Sequence, residues 1–266
     1  MSKKRILITG KGSYVGTSFM KWMEQWPDQY EADEISVRGT AWKEHDFSQY
    51  DVVLHVAAVV HQKERSDMRE LYFRVNRDLP IEIARIAKES GVGQFIFMST
   101  MAVYGEEGKI GQEVIINRST PINPKTFYAA SKIEAEVELS RLNNDKFRVV
   151  VLRPPIVYGP NCPGNYAKLE YFAIKSSIFP MIENKRSMLN IDKLCLSVKK
   201  YIDSECEGLY LPQDDEYINT SLMVKKIAEM NGKSIHLSKI AGWIIQLIGK
   251  KNNMVKKIFG NLVYEK

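Results

Sequence analysis

Tyr128 and Lys132 stand four residues apart in the run Tyr128-Ala129-Ala130-Ser131-Lys132. On a helix that spacing places a phenol and an ammonium on one face. A tyrosine ordinarily ionises near pH ~10, too high for a base at neutral pH. A cation one turn away is expected to favour the phenolate and lower that value. Such a pair suits the passing of a proton to and from an alcohol or a ketone. The flanks read as helix, with Pro124 upstream and strong helix formers from Lys132 to Leu139.

Three further stretches carry polar or glycine-rich chemistry. Thr9-Gly10-Lys11-Gly12-Ser13-Tyr14-Val15-Gly16 follows an apolar run and precedes a helical one. A glycine-rich strand-to-helix turn lets backbone amides approach a pyrophosphate at the positive end of a helix, and here it sits at the first strand–helix junction. Ser99-Thr100-Met101-Ala102-Val103-Tyr104-Gly105 ends a central strand, where a hydroxyl can hold a substrate oxygen beside Tyr128; a strand-end cap is the competing reading. Arg186-Ser187 and Asp192 offer an arginine for a diphosphate, and Gly164-Asn165-Tyr166 suits either a sugar or a chain turn.

The elements that position these residues alternate between strand and helix, which implies a parallel sheet covered on both faces. Strands are expected at Arg5–Ile8, Ile35–Arg38, Asp51–Ala57, Gln94–Ser99 and Arg148–Leu152, and helices at Val15–Trp26, Leu79–Ser90 and Tyr128–Leu142. The fold class is α/β, a Rossmann-type doubly wound parallel sheet. Residues 1–160 form its dinucleotide-binding domain. Residues 161–266 form a smaller, mostly helical substrate-binding domain with helices near 166–176, 193–203 and 221–230. Parts of 188–212 are expected to return to the sheet, Gly208–Leu211 among them. Cofactor type turns on the end of the second strand, where an acid suits the ribose of NAD and an arginine the 2′-phosphate of NADP. Arg38-Gly39 leans toward NADP. Asp46-Phe47, ahead of the next strand, suits either an adenine amino contact or a loop cap.

Composition bounds the partners. Of the 266 residues, 44% are hydrophobic and 26% charged, as in a soluble globular chain. No apolar run reaches the ~18 residues of a membrane span, and no signal-peptide core is visible. The three cysteines lack metal-ligand spacing and point to a reducing compartment, so the cytoplasm is expected, with no metal site. Residues 232–266 hold seven lysines and one acid, Glu265, so the net charge of +6 resides there and the rest is balanced. The balanced body offers no basic stripe for nucleic acid. In the basic segment Ile240, Trp243, Ile244, Leu247 and Ile248 interleave with polar residues. It fits an anionic membrane surface or, the reading favoured by the sequence, the solvated lysine face of an ordinary amphipathic helix.

Together these stretches resemble the extended short-chain dehydrogenase/reductases, in their nucleotide-sugar epimerase/dehydratase branch. The resemblance covers about residues 4 to 235. The family's opening turn matches at Thr9, Gly10 and Gly16, with Ser13 in the place of the middle glycine and Gly12 beside it. His55-Val56-Ala57-Ala58, Asn76 and Arg153-Pro154-Pro155-Ile156-Val157-Tyr158-Gly159-Pro160 match further motifs at the dinucleotide. The resemblance implies a cofactor site of Thr9, Gly10, Gly12, Ser13, Tyr14, Val15, Gly16, Arg38, Asp46, Phe47, Val56, Ala57, Ala58, Asn76, Ser99, Tyr128, Lys132, Pro154 and Ile156. It places the catalytic hydroxyl on Thr100, three residues before Val103-Tyr104-Gly105, with Tyr128 and Lys132 as its partners. Substrate contacts follow at Thr100, Met101, Tyr128, Asn165 and Arg186.

The implied activity is an NAD(P)-dependent, UDP-sugar 4-epimerase-like reaction by hydride transfer at sugar C4, in surface-polysaccharide synthesis. The alternatives are an NADPH-dependent reductase of UDP-4-keto-6-deoxy sugars and a non-catalytic dinucleotide-binding regulator. Met101-Ala102 stand where the family's dehydratases carry Asp-Glu, which argues against dehydration. Ile156 replaces an asparagine of many sugar epimerases. Members that continue beyond the point matching Lys266 carry a further nucleotide-binding arginine, so either the chain is a fragment or that contact is missing. A homodimer is implied through the helices after Asn76 and around Tyr128, using Ile81, Ile83, Ile86, Ile133, Val137 and Leu139.

Overall fold

A computed structural model describes residues 3–60, 64–249 and 252–266, without the side chains of Asn165 and Ile248. The first elements are β1 (Lys4–Thr9), α1 (Tyr14–Met23), β2 (Tyr30–Ile35), β3 (Val52–His55), α2 (Arg69–Phe73), α3 (Leu79–Glu89) and β4 (Gln94–Met98). Next come β5 (Ile115–Ile116), α4 (Phe127–Ser140), β6 (Arg148–Leu152), β7 (Ile156–Tyr158), α5 (Asn165–Lys175), β8 (Ile178–Pro180) and β9 (Met188–Asn190). The last are α6 (Ile191–Asp203), β10 (Gly208–Tyr210), α7 (Thr220–Met230), β11 (His236–Ser238), α8 (Lys239–Gly249), α9 (Asn253–Phe259) and β12 (Val263–Tyr264).

The chain divides into two units that interleave in sequence, where the sequence reading expects one boundary at residue 160 and a return within 188–212. The first unit is Met1–Gly105, Pro124–Pro155 and Ile191–Pro212; the second is Glu106–Asn123, Ile156–Asn190 and Gln213–Lys266.

The first unit is built on a parallel sheet of six strands in the order β10-β6-β4-β3-β1-β2. Its central strands are apolar on both faces, as a sheet covered on both sides requires. Ile6, Leu7 and Ile8 of β1, Val52 to Leu54 of β3 and Phe95 to Phe97 of β4 are all buried. Leu7, Val53, Phe95, Phe97, Val149 and Val151 form one core with Ile83, Ala84 and Ala87 of α3 and Ala135 and Leu139 of α4. The alternate residues point to the opposite face, and α1 packs against α6. Strand order reverses between β1 and β3, and in such sheets ligands bind beyond the carboxyl ends of the strands at that switch point.

Two elements differ from the sequence reading. The second strand is Tyr30–Ile35 rather than Ile35–Arg38. Its sequence, Tyr-Glu-Ala-Asp-Glu-Ile, forms a half-exposed edge and so carries no apolar run. The segment around Asn76 is a π-helical turn, Arg74–Asp78, set between α2 and α3. Among its described residues the second unit has four helices (α5, α7, α8 and α9) and three two-stranded pieces, β5 with β12, β7 with β9, and β8 with β11. Ala173, Phe179, Ile182, Val224, Ile227, Ala228, Ile235 and Phe259 form its core.

Candidate active site

The glycine-rich turn joins β1 to α1. Gly10 has φ +132°, and a Cβ there would lie 2.8 Å from the Ala57 backbone nitrogen. The backbone amides of Val56 and Ala57 both donate to the Thr9 carbonyl, at 3.1 and 3.0 Å. A Cβ on Gly16 would lie 2.9 Å from Ile8 and 2.7 Å from the Ser13 hydroxyl. Gly12, at φ +73°, faces open space: a Cβ there would meet nothing within 4 Å. Ser13 caps α1, its hydroxyl accepting from the Gly16 amide at 3.1 Å. A bare left-handed backbone facing open space at a helix N-terminus fits a pyrophosphate. The Gly12 amide donates to the Glu34 carboxylate at 3.0 Å, so this amide already serves an anionic partner. Tyr14 and Val15 begin α1, Tyr14 as its first residue. Glu34 is not marked out by the sequence, because the edge strand β2 that carries it has no apolar run.

Arg38 lies three residues beyond the end of β2 and is exposed. Asp46 caps a short 3₁₀ turn, its Oδ1 accepting from the Ser48 amide at 2.9 Å and the Ser48 hydroxyl at 2.6 Å; these bonds hold its pKa down. Phe47 is buried in the core. The cap reading therefore describes how Asp46 is held, and Phe47 packs inward.

The tyrosine helix is fixed at its first turn. Thr126 accepts from the Ala129 amide at 3.1 Å, and Glu64 accepts from the Phe127 and Tyr128 amides at 2.8 and 3.0 Å. These are orphan donors of the helix start, and the carboxylate also complements its positive end. Lys132 is buried, donates to the Met98 carbonyl at 2.8 Å and lies 4.5 Å from the Phe97 ring centre. Burial lowers its pKa to about 7, with Glu136 pulling the other way.

Tyr128 behaves differently from the expectation of a lowered pKa. Burial pushes it up to about 12, and a hydrogen bond with Thr100 only partly offsets this. The i, i+4 spacing aligns the Cβ atoms, but the long lysine stem carries its ammonium to the Met98 carbonyl at the end of β4. Thr100 thus meets Tyr128, and its Oγ1 accepts from the Ala102 amide at 3.1 Å as a strand-end cap.

Ser99, expected at the cofactor, turns its hydroxyl inward to the Glu136 carboxylate. Arg153 donates to that carboxylate from Nε at 3.1 and 3.0 Å and from Nη2 at 2.6 Å, and its Nη1 donates to the Tyr104 hydroxyl at 2.9 Å. This buried network lies beneath Thr100 and one helical turn beyond Lys132. Met101 is buried, and its amide donates to the Pro154 carbonyl at 2.9 Å. Asn76 is buried as well: it accepts from the Val59 amide at 2.8 Å and donates to the Val59 carbonyl at 3.1 Å and Ser131 Oγ at 3.3 Å. It secures the chain just after Ala58 against the tyrosine helix.

In the second unit Ile156 starts β7, opposite Met188 of β9. Asn165 begins α5, and its side chain lies outside the described residues. Arg186 is buried, donates from Nη1 to the Gly260 carbonyl at 3.0 Å, and has its pKa lowered to about 10 by burial. Among the described residues it has no carboxylate partner.

Residues 6–175 match the model of the NAD dependent epimerase/dehydratase family. The chain belongs to that family. It is an enzyme of this NAD(P)-dependent group. It is 28% identical over 285 residues to the UDP-glucose 4-epimerase of Vibrio cholerae, a match that covers 97% of this chain and 86% of that protein. Its fold is similar to the UDP-glucuronic acid 4-epimerase of Bacillus cereus in complex with NAD, with a TM-score of 0.72, 17% identity, and 98% and 89% of the two chains covered. The dTDP-4-dehydrorhamnose reductase of Bacillus anthracis in complex with NADP has a TM-score of 0.69 at 18% identity, covering 89% of this chain and 84% of that one. No helix among the described residues is long and apolar enough to cross a membrane.

Proposed function

We propose that this family member is a nucleotide-sugar 4-epimerase acting on a UDP-linked sugar. The observation that carries the reading is the meeting of Thr100 and Tyr128 at the end of β4, with Lys132 held one turn along the same helix. The turn of Gly10, Gly12 and Ser13 would hold the dinucleotide's pyrophosphate. When bound, the dinucleotide supplies the hydride acceptor and donor.

The chain's own residues handle the proton. Thr100 and Tyr128 share the oxygen of the sugar's 4-position. Tyr128 takes the proton as the hydroxyl becomes a ketone and returns it as the alcohol re-forms. Lys132, one turn along that helix with its ammonium on the Met98 carbonyl, would contact the bound dinucleotide. Arg186, a buried guanidinium with no carboxylate partner among the described residues, suits the substrate diphosphate. The Vibrio cholerae relative, named as an epimerase and matched over most of both chains, supports this reading.

A 4-keto reductase is the second reading, favoured by two observations. Tyr128 rests as a protonated acid, which is the form that delivers a proton to a ketone. Arg38 is exposed just past β2, where a 2′-phosphate reader belongs. Cytoplasmic location, surface-polysaccharide synthesis and a homodimer complete the proposal. Of the residues named for the dimer, Ile81, Ile83 and Leu139 are core and Val137 is exposed.

The test is to incubate the protein with a panel of UDP-sugars and dinucleotides and follow C4 configuration by proton NMR. Inversion at C4 without net use of cofactor supports the epimerase. Consumption of NADPH with a 4-keto sugar supports the reductase, and no change with any of them defeats both.

A further inference from the structure

Helix α8 presents an apolar stripe outward. Ile240, Trp243, Ile244 and Leu247 are exposed by 75%, 63%, 46% and 59%. They follow the i, i+3, i+4, i+7 pattern of one helix face. The rotation of the helix is fixed from the other side. A Cβ on Gly242 would lie 1.9 Å from the Met181 carbonyl oxygen, so only glycine permits this seat. Gly249 is likewise pressed against Val255 and Ile110, and Ile245 packs on the core of the second unit. The helix therefore spends its glycines and Ile245 on its own protein and leaves its largest apolar groups outward. The outward face of α8 is thus apolar, where the sequence favours a solvated lysine face.

The charged residues of the chain flanking the stripe are of one sign. No acidic residue occurs between Glu229 and Glu265. Lys233 and Lys239, on the approach to and start of α8, are exposed, as is Lys257 on α9; Lys256 is half-buried. Lys250 and Lys251 lie outside the described residues. A second copy docking stripe to stripe would set lysines against lysines. An anionic bilayer meets both features: its headgroups attract the lysines, and its acyl boundary takes Trp243 and the aliphatic side chains.

We propose that α8 docks the protein on an anionic lipid surface, lying in the plane of the interface with Ile240, Trp243, Ile244 and Leu247 inserted. Lys233, Lys239 and Lys257 face the headgroups. This docking is independent of the reaction assigned above.

The test is flotation of the full chain with vesicles of phosphatidylcholine alone and of phosphatidylcholine with phosphatidylglycerol. The protein is expected to float with the anionic vesicles and to be released as salt rises. Trp243→Asp combined with Leu247→Asp is expected to lower the partition coefficient about tenfold or more. Both positions are exposed, so circular dichroism should remain that of the wild type. Lys239→Glu with Lys257→Glu should weaken binding to anionic vesicles selectively. Equal behaviour on the two vesicle types, or unchanged flotation of the aspartate variant, overturns the proposal. So does sedimentation showing a dimer that the aspartate variant splits, with no vesicle binding, which would assign the stripe to a second copy.

Discussion

Arg153 grips Glu136 through Nε and Nη2, and the same carboxylate accepts the hydroxyl of Ser99, the residue before Thr100. Both charged side chains are nearly fully buried. The pair fixes the end of β4 against the tyrosine helix, so the position of Thr100 depends on a buried ion pair.

Removing one partner of such a pair strands the other charge, at a cost of about 3–5 kcal/mol. Glu136→Ala is therefore expected to lower unfolding free energy by roughly that amount in urea titrations. Replacing both partners, as Glu136→Leu with Arg153→Met, should be far milder. An equal loss in the single and double variants would show that the pair is not coupled.

Lys132 carries a pH dependence whose sign is fixed by burial. Its pKa falls from 10.5 to about 7 on folding. Between these values the unfolded chain binds more protons, so stability rises with pH across that window. Below pH ~7 the full cost of burying the ammonium is present, and above about 10.5 it is gone. Lys132→Met should thus be more stable than the wild type at pH 6 and lose that advantage as pH rises toward 10. It should also lose turnover. Thermal melts across this range check the trend, and a flat difference would contradict the burial argument.

Arg38, just past β2, and Glu34, on the Gly12 amide, are the two residues proposed to set the dinucleotide preference. Arg38→Ala should weaken NADPH binding roughly tenfold or more while sparing NADH, because only the former offers a 2′-phosphate. Glu34→Gln removes a carboxylate from the Gly12 amide and should shift preference toward NADPH. Fluorescence titration of each variant with both cofactors decides this. If neither changes the ratio, the selecting residue lies elsewhere.

Arg186→Ala should weaken UDP binding by about 1.5–3 kcal/mol, roughly ten- to a hundredfold in Kd, as expected for a charge-assisted hydrogen bond. Calorimetric titration with UDP measures it directly. Unchanged affinity in a folded variant would leave Arg186 as a structural donor to Gly260.

The sequence makes the centre of the sheet plain because β1, β3, β4 and β6 are buried on both faces and read as apolar runs. It hides β2, a half-exposed edge strand interrupted by two glutamates and an aspartate, and with it Glu34. The glycine turn, Thr100, Tyr128 and Lys132 are local and therefore readable. The partners that set their behaviour are not. Glu64, Glu136 and Arg153 act across long stretches of chain, and composition gives no hint of which charges pair. The direction of the Tyr128 shift is lost for a related reason: helix spacing fixes where a lysine starts and not where its ammonium ends. Likewise the apolar residues of α8 are visible as a pattern, but which face turns outward depends on Gly242 meeting Met181.

Tyr128 is proposed to move the proton in a hydride-transfer reaction on a nucleotide sugar. Its most direct test is Tyr128→Phe, compared with the wild type for dinucleotide affinity and for turnover of the sugar that the NMR panel identifies. Near-complete loss of turnover with unchanged dinucleotide binding is the predicted result. Substantial turnover in the phenylalanine variant would contradict the account.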